Sequence, residues 1–234
     1  MDIVCVQAVT KDYDLGQTKV HALRGIDLII QEGEFISIAG ASGSGKSTLL
    51  NLIGGLDYPT SGEIRINGEC INNLHERELN RLRLNTIGFI FQSFNLIPVL
   101  NVYENIELPL LIMKGVSKRE RKERVMRLIE AVGLSRQIKQ RPSELSGGQR
   151  QRVAVARALV TKPRIVLADE PTANLDSVTG LEIIDLMHDI NKAEGTTFIF
   201  STHDEKIIKR AVRVIYLEDG LVKKGCPGKS GETK

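Results

Sequence analysis

GASGSGKST, residues 40–48, lies between the apolar run FISIA (35–39) and TLLNLI (48–53). The first run is β-branched and reads as a buried strand, while the second has helical spacing. Between them stands G-x-x-x-x-G-K-[ST]. Glycines 40, 43 and 45 let backbone N–H groups turn inward around phosphate oxygens. The start of a helix adds a partial positive charge at the same place. In this reading Ala41, Ser42 and Ser44 complete the cradle and Lys46 reaches the β and γ phosphates. The Ser47 hydroxyl would bind Mg²⁺, with Thr48 nearer the α phosphate. A Gly/Ser-rich surface turn would match the letters but would not need a strand before it and a helix after it.

Outward from the loop, short apolar runs recur. IDLII (26–30), EIRIN (63–67), IGFIF (87–91), RIVLAD (164–169), TTFIFS (196–201) and VRVIYL (212–217) read as strands. Several are apolar on both faces, which suits a covered sheet. RIVLADEP (164–171) brings Asp169 out at the end of a buried strand, where a carboxylate can hold Mg²⁺ through its water shell. Glu170, one residue on, is placed to act on a water for in-line attack. Whether it takes the proton or only orients the water is open at this point. From about 93 to 160 the strand pattern gives way to helices, a helical insertion in an α/β core. Val125, Leu128, Ile129 and Val132 mark one buried face, with Arg119, Arg121, Lys122 and Arg124 expected on the solvated one. Asp176 is expected to begin another helix, with Val178, Leu181, Ile184 and Ile190 buried.

Composition narrows the function. The 234 residues suffice for a sizeable core. A net charge of +3 is too small to argue for nucleic acid, and with no Trp and 4% aromatics there is little to stack on bases. Cys5, Cys70 and Cys226 are scattered, which suggests reduced thiols, and the four histidines form no ligand cluster. No apolar run reaches the roughly 18 residues a spanning helix needs, and MDIVCVQAV lacks signal-peptide organisation. Any membrane connection is expected to come through a partner. The tail from Lys223 is polar and Gly/Pro-rich and is expected to be loose.

A second helix start carries glycines. In LSGGQRQRVAVARAL (145–159), Ser146 and Gln149 form an S-x-x-Q capping box, so Gly147 and Gly148 fall in the first turn. N–H groups there have no intrahelical partner. Two readings stay open: a capped helix with tolerated glycines, or a second anion-binding helix end without its own lysine.

Taken in order, GASGSGKST, Gln92, LSGGQ (145–149), LADE (167–170) and His203 resemble the ATP-binding-cassette (ABC) ATPases, over about residues 3–224. The resemblance implies an α/β fold: a P-loop NTPase (RecA-like) core with an N-terminal antiparallel β subdomain and an inserted α-helical subdomain. Residues 1–92 and 161–224 would form the core, 93–160 the helical subdomain with the signature, and 225–234 a flexible tail. It implies ATP with Mg²⁺, and a head-to-tail homodimer in which Ser146, Gly147, Gly148 and Gln149 of one copy meet the nucleotide on the other's loop. Tyr13 would stack on adenine. Gln92 would touch Mg²⁺ and the attacking water, and His203 the γ phosphate. ANLD (173–176) matches the interface-crossing D-loop, where Ala173 and Asn174 depart mildly from the usual SALD.

FQSFNLIPVLNVYENIELPL (91–110) and VHALRGIDL (20–28) are similar to the lipoprotein-release (LolD), macrolide-export (MacB) and cell-division (FtsE) branch. That implies an integral membrane permease subunit as partner, and a place in the cytoplasm on the inner face of the membrane. The short length resembles a free-standing subunit. Phe94, Leu96, Ile97, Pro98 and Leu100 are expected either to pack inside the helical insertion or to receive the partner. Two other classes remain. A non-transport ABC ATPase usually carries two cassettes or a long coiled coil, and this chain shows no sustained heptads. A small-molecule kinase would have no use for LSGGQ.

Overall fold

The computed structural model describes residues 1–16 and 18–223; the expected loose tail from 224 on lies outside them. The chain runs β1 (Asp2–Leu15), β2 (Thr18–Gln31), β3 (Phe35–Ala39), α1 (Lys46–Ile53), β4 (Ser61–Ile66), β5 (Glu69–Cys70), α2 (Glu76–Thr86) and β6 (Ile87–Ile90). It continues with α3 (Val102–Ile112), α4 (Lys118–Ala131), a 3-10 turn (Pro142–Glu144) and α5 (Gly147–Leu159). Then come β7 (Ile165–Ala168), α6 (Ser177–Glu194), β8 (Thr197–Thr202), α7 (Glu205–Ile208), β9 (Arg213–Glu218) and β10 (Leu221–Val222).

Two sheets form. One is antiparallel, in the order β2-β1-β4-β5. The other runs β10-β9-β3-β8-β7-β6, parallel from β9 to β6 with β10 antiparallel at its edge. The central strands are apolar on both faces because each feeds two cores. Ile36, Ile38, Ile165, Leu167 and Ile199 join the core shared with the antiparallel sheet and α1. Phe35, Val166, Ala168, Phe198 and Phe200 join the core beneath the helical insertion and α6. Period-2 alternation thus separates two cores instead of core from water. Parallel pairing brings the C-terminal ends of β3, β6, β7 and β8 to one edge, where α/β sheets present their loops.

The expected fold class holds, with local corrections. β1 lies ahead of the first expected strand, and β2 begins at Thr18, well ahead of the run at 26–30. The Thr18–Val20 end of the hairpin is exposed and polar, so it lacks the apolar signal of a core strand. The polar α2 buries only Leu79, so it carries no apolar periodicity that would mark it as a helix. On α6, Asp176 caps the helix as expected, accepting from the N–H groups of Val178 and Thr179. Val178, however, is 68% exposed, and Ile183 and Met187 take core places beside Ile184 and Ile190. The basic run of α4 is only half solvated: Arg121 pairs with Glu107 on α3 at 3.2 Å and Arg124 pairs with Glu120, both with largely buried side chains.

Candidate active site

The loop 40–45 leaves β3 and enters α1, and two of its glycines are demanded by conformation. Gly43 and Gly45 have φ of 80° and 103°, which L side chains rarely adopt. Gly40 is demanded by space: a Cβ there would lie 2.2 Å from the Leu217 carbonyl oxygen. Lys46 is 5% exposed. Its ammonium donates to the carbonyls of Gly40 (2.9 Å) and Ala41 (3.0 Å) and lies 3.6 Å from Glu170 Oε1. The Ser44 hydroxyl is buried in the loop without a hydrogen-bond partner. A cradle of N–H groups with a tethered ammonium and an orphaned hydroxyl fits a polyphosphate.

The register of β7 and β8 delivers the acids to the loop. Asp169 Oδ1 accepts from the hydroxyls of Ser47 (2.9 Å) and Ser201 (2.7 Å). Ser201 also accepts the Glu170 N–H at 2.8 Å. That bond supports Glu170 at φ 44°, a left-handed conformation that costs about 1–2 kcal/mol for a side-chain-bearing residue. Glu170 Oε1 lies 3.3 Å from His203 Nδ1, and the His203 side chain is 61% exposed. Lys46, Ser47, Asp169, Glu170 and His203 therefore meet at one corner. Ser201 ties two of them together, and sequence reasoning passed it over: inside FIFST it reads as one more buried strand residue. Among the described residues no group of three His, Cys, Asp or Glu side chains is placed to hold a metal. The oxygen donors present, Ser47 and Asp169, suit a Mg²⁺ that takes its other ligands from phosphate and water.

Gln92 is exposed beyond β6, and its carbonyl accepts from the Asn174 side chain at 2.9 Å. The next turn is clamped to α5. Arg157 donates to the carbonyls of Asn95 (2.5 Å) and Phe94 (2.8 Å), and Arg150 lies over the Phe94 ring. Both Phe94 and Asn95 have positive φ. Asn105, fully buried, binds the backbone of Ile97, Leu100 and Asn101. Of the apolar residues left open by the sequence, Leu96 packs on the helical core, whereas Pro98 is exposed. Tyr13 stands on β1, its hydroxyl bonded to Asp57 at 2.8 Å.

The signature turn lies elsewhere. Ser146 Oγ accepts the Gln149 N–H at 3.2 Å, and Gln149 Oε1 accepts the Ser146 N–H at 2.9 Å. A Cβ on Gly147 would meet Leu175 at 3.2 Å, and one on Gly148 would meet Thr179 Cγ2 at 2.5 Å. The glycines therefore also let α5 close against the 173–176 turn and α6, a reason the sequence did not supply. The contacts of 146–149 run to these neighbours and not to the loop at 40–48.

Comparison with known proteins points to one family. The ABC transporter family profile matches residues 23–173. The chain is 46% identical over 225 residues to the ABC transporter ATP-binding protein MJ0796 of Methanocaldococcus jannaschii, covering 95% of this chain and 96% of the relative. The lipoprotein-releasing system ATP-binding protein LolD of Alcanivorax borkumensis is 43% identical over 222 residues, with 95% and 97% covered. A dimeric structure of MJ0796 in a post-hydrolysis state, bound to ADP and Pi, superposes with a TM-score of 0.87 at 47% identity, covering 94% of this chain and 97% of that one.

Proposed function

The chain belongs to the ABC transporter family, and we propose that it is the ATP-binding and hydrolysing subunit of a transporter of the lipoprotein-release and macrolide-export kind. It is an ATPase, and a second copy of itself completes each site. The observation that carries the reading is the split site: a loop, two acids and a histidine converge at one sheet edge, while the glycine-lined helix start points its contacts elsewhere. The ADP- and Pi-bound dimer of MJ0796 supports closure in pairs.

In that reading the cradle binds the phosphates through Gly40, Ala41, Ser42, Gly43, Ser44 and Gly45. Lys46 turns from its own loop carbonyls to the β and γ phosphates. Mg²⁺, held by Ser47 and by Asp169 through water, would neutralise charge on the phosphates. Glu170 holds the attacking water in line. Gln92 orients it and reports on the partner, and His203 contacts the γ phosphate. Ser146, Gly147, Gly148 and Gln149 approach from the second copy, so hydrolysis waits for assembly, as with a catalytic arginine supplied in trans. Positioning and electrostatic stabilisation supply most of the rate. Tyr13 stacks on the adenine.

The permease partner has a fitting surface. A cavity of about 1160 Å³ opens between α2, the turn after β6 and the ends of α3 and α5. Phe89, Phe91, Ile112 and Met113 give it apolar walls, and the charged residues lining it are all basic. No helix among the described residues is long and apolar enough to cross a membrane, so a peripheral place on the inner face follows from that partner. Two measurements test the proposal. Wild-type protein should hydrolyse Mg-ATP and Lys46→Ala should not. Tagged Glu170→Gln with Mg-ATP should co-purify an integral membrane protein from detergent-solubilised native membranes. Recovery of ribosomal or DNA-associated proteins alone would overturn the transport reading while keeping the ATPase.

A further inference from the structure

Tyr13 does not stand free. Lys11 and Tyr13 are two apart on β1 and so share a face of the strand. Both reach Asp57, in the turn that follows α1. Asp57 Oδ2 accepts the Tyr13 hydroxyl at 2.8 Å, and Oδ1 accepts the Lys11 ammonium at 2.7 Å and the Tyr58 N–H at 2.7 Å. Lys11 donates again to the Tyr58 carbonyl at 2.7 Å and sits 4.8 Å from the centre of the Tyr13 ring. Its side chain is 12% exposed and that of Asp57 29%. The Asp12 N–H donates to Thr60 Oγ1 at 2.9 Å and the Thr60 N–H to the Thr10 carbonyl at 2.9 Å, sewing β1 to the same turn. Burial opposes ionisation of Asp57, but its bonds to Lys11 and Tyr13 outweigh it and hold the carboxyl below its usual range. Burial, then the neighbouring Asp57, raises the Tyr13 phenol.

We propose that Asp57 and Lys11 are positioning residues that lock the Tyr13 ring in the plane needed to receive the nucleotide base. This rests on the reading of Tyr13 as the base-stacking residue. Asp57 clamps the hydroxyl end and Lys11 covers one face, leaving the other to the base. Asp57 stands in the turn that follows α1, the helix the phosphate loop enters, so its bond ties the ring to that helix. A tyrosine held before the ligand arrives loses little rotamer freedom on binding, and that preorganisation sharpens affinity without a new contact. The cation on the covered face adds to the stack. The sequence hides the device, because Lys11 and Asp57 are 46 positions apart.

The test compares ATP with inorganic tripolyphosphate, which fills the loop but carries no base, by equilibrium binding to the full chain with Mg²⁺. Tyr13→Ala should weaken ATP by about 5- to 100-fold, the range for losing one stacked base. Asp57→Ala and Tyr13→Phe should each weaken ATP by about 3- to 10-fold. The double variant should lose no more than Asp57→Ala alone, because the Tyr13–Asp57 bond is already gone in that variant. Tripolyphosphate affinity should stay unchanged throughout. Unchanged ATP binding in Asp57→Ala and Tyr13→Phe, with the Tyr13→Ala loss intact, would overturn the lock alone. Equal losses of ATP and tripolyphosphate in Asp57→Ala would also overturn it, since Asp57 would then be supporting the loop. Equal losses in Tyr13→Ala would overturn the stacking reading beneath it.

Discussion

Two helices in this molecule start with glycine, and they do so for different reasons. Before α1, Gly43 and Gly45 hold positive φ that bends the chain into a cradle, and Lys46 follows as the charge inside it. At α5, Gly147 and Gly148 are absent from the positive-φ positions and sit in ordinary helix. Their lack of side chains gives space, not conformation: room for Leu175 and Thr179 behind them and bare N–H groups ahead. The first end comes with its own lysine, acids and histidine. The second brings a capping serine and no lysine of its own, and in the proposed reading its bare N–H groups meet the phosphate held by the other copy.

The comparison breaks most sharply at Glu170. Glu170→Gln should lower turnover by about 10²- to 10⁴-fold, the usual worth of a positioned proton acceptor, while ATP still binds. Steady-state phosphate release against equilibrium ATP binding checks this; a parallel loss of both would place Glu170 in the cradle and not in the chemistry.

Ser201 probes the same corner from beneath. Its hydroxyl bridges the Glu170 N–H and the Asp169 carboxylate, so Ser201→Ala should release Glu170 from its left-handed backbone and cut turnover by roughly 10-fold. ATP affinity should move little, and Ser201→Thr should restore part of the rate. An equal fall with Thr would mean that β8 needs a small residue there and not a hydroxyl.

The signature end answers to packing first. Gly148→Ala forces a methyl against Thr179 and should destabilise the fold by about 1–3 kcal/mol. Adding Thr179→Ala should return most of that stability, read from denaturant midpoints. Turnover should return with it, because the added methyl lies on the Thr179 side and leaves the N–H groups bare. A double variant that is stable again but still slow would contradict that placement of the methyl.

How far the sequence reaches differs between the two ends. The strand-loop-helix around 40–48 is local, and β7 announces Asp169 and Glu170 through four apolar residues in a row. Ser146 and Gln149 mark the start of α5 within four positions, and their bonds have the reciprocal geometry their spacing predicts. What escaped depends on pairing across the chain. Ser201 gains meaning only when β8 lies beside β7, and Asp57 only when the turn after α1 meets β1. Thr179 explains Gly148 only when α6 packs on α5. α2 is hidden for another reason: polar residues dominate it and it buries only Leu79. The first half of β1 buries Ile3, Val4, Val6 and Val9 and is legible, whereas the Thr18–Val20 end of the hairpin is exposed.

The most direct test of the split site is sedimentation of Glu170→Gln with saturating Mg-ATP, beside Glu170→Gln/Ser146→Asp. Aspartate caps a helix about as well as serine, so the fold is kept while a negative charge is set where the other copy's phosphate would lie. The account predicts a dimer for the first and a monomer for the second, at equal thermal stability in the absence of nucleotide. A monomeric Glu170→Gln, or a dimer indifferent to Asp at 146, would contradict it.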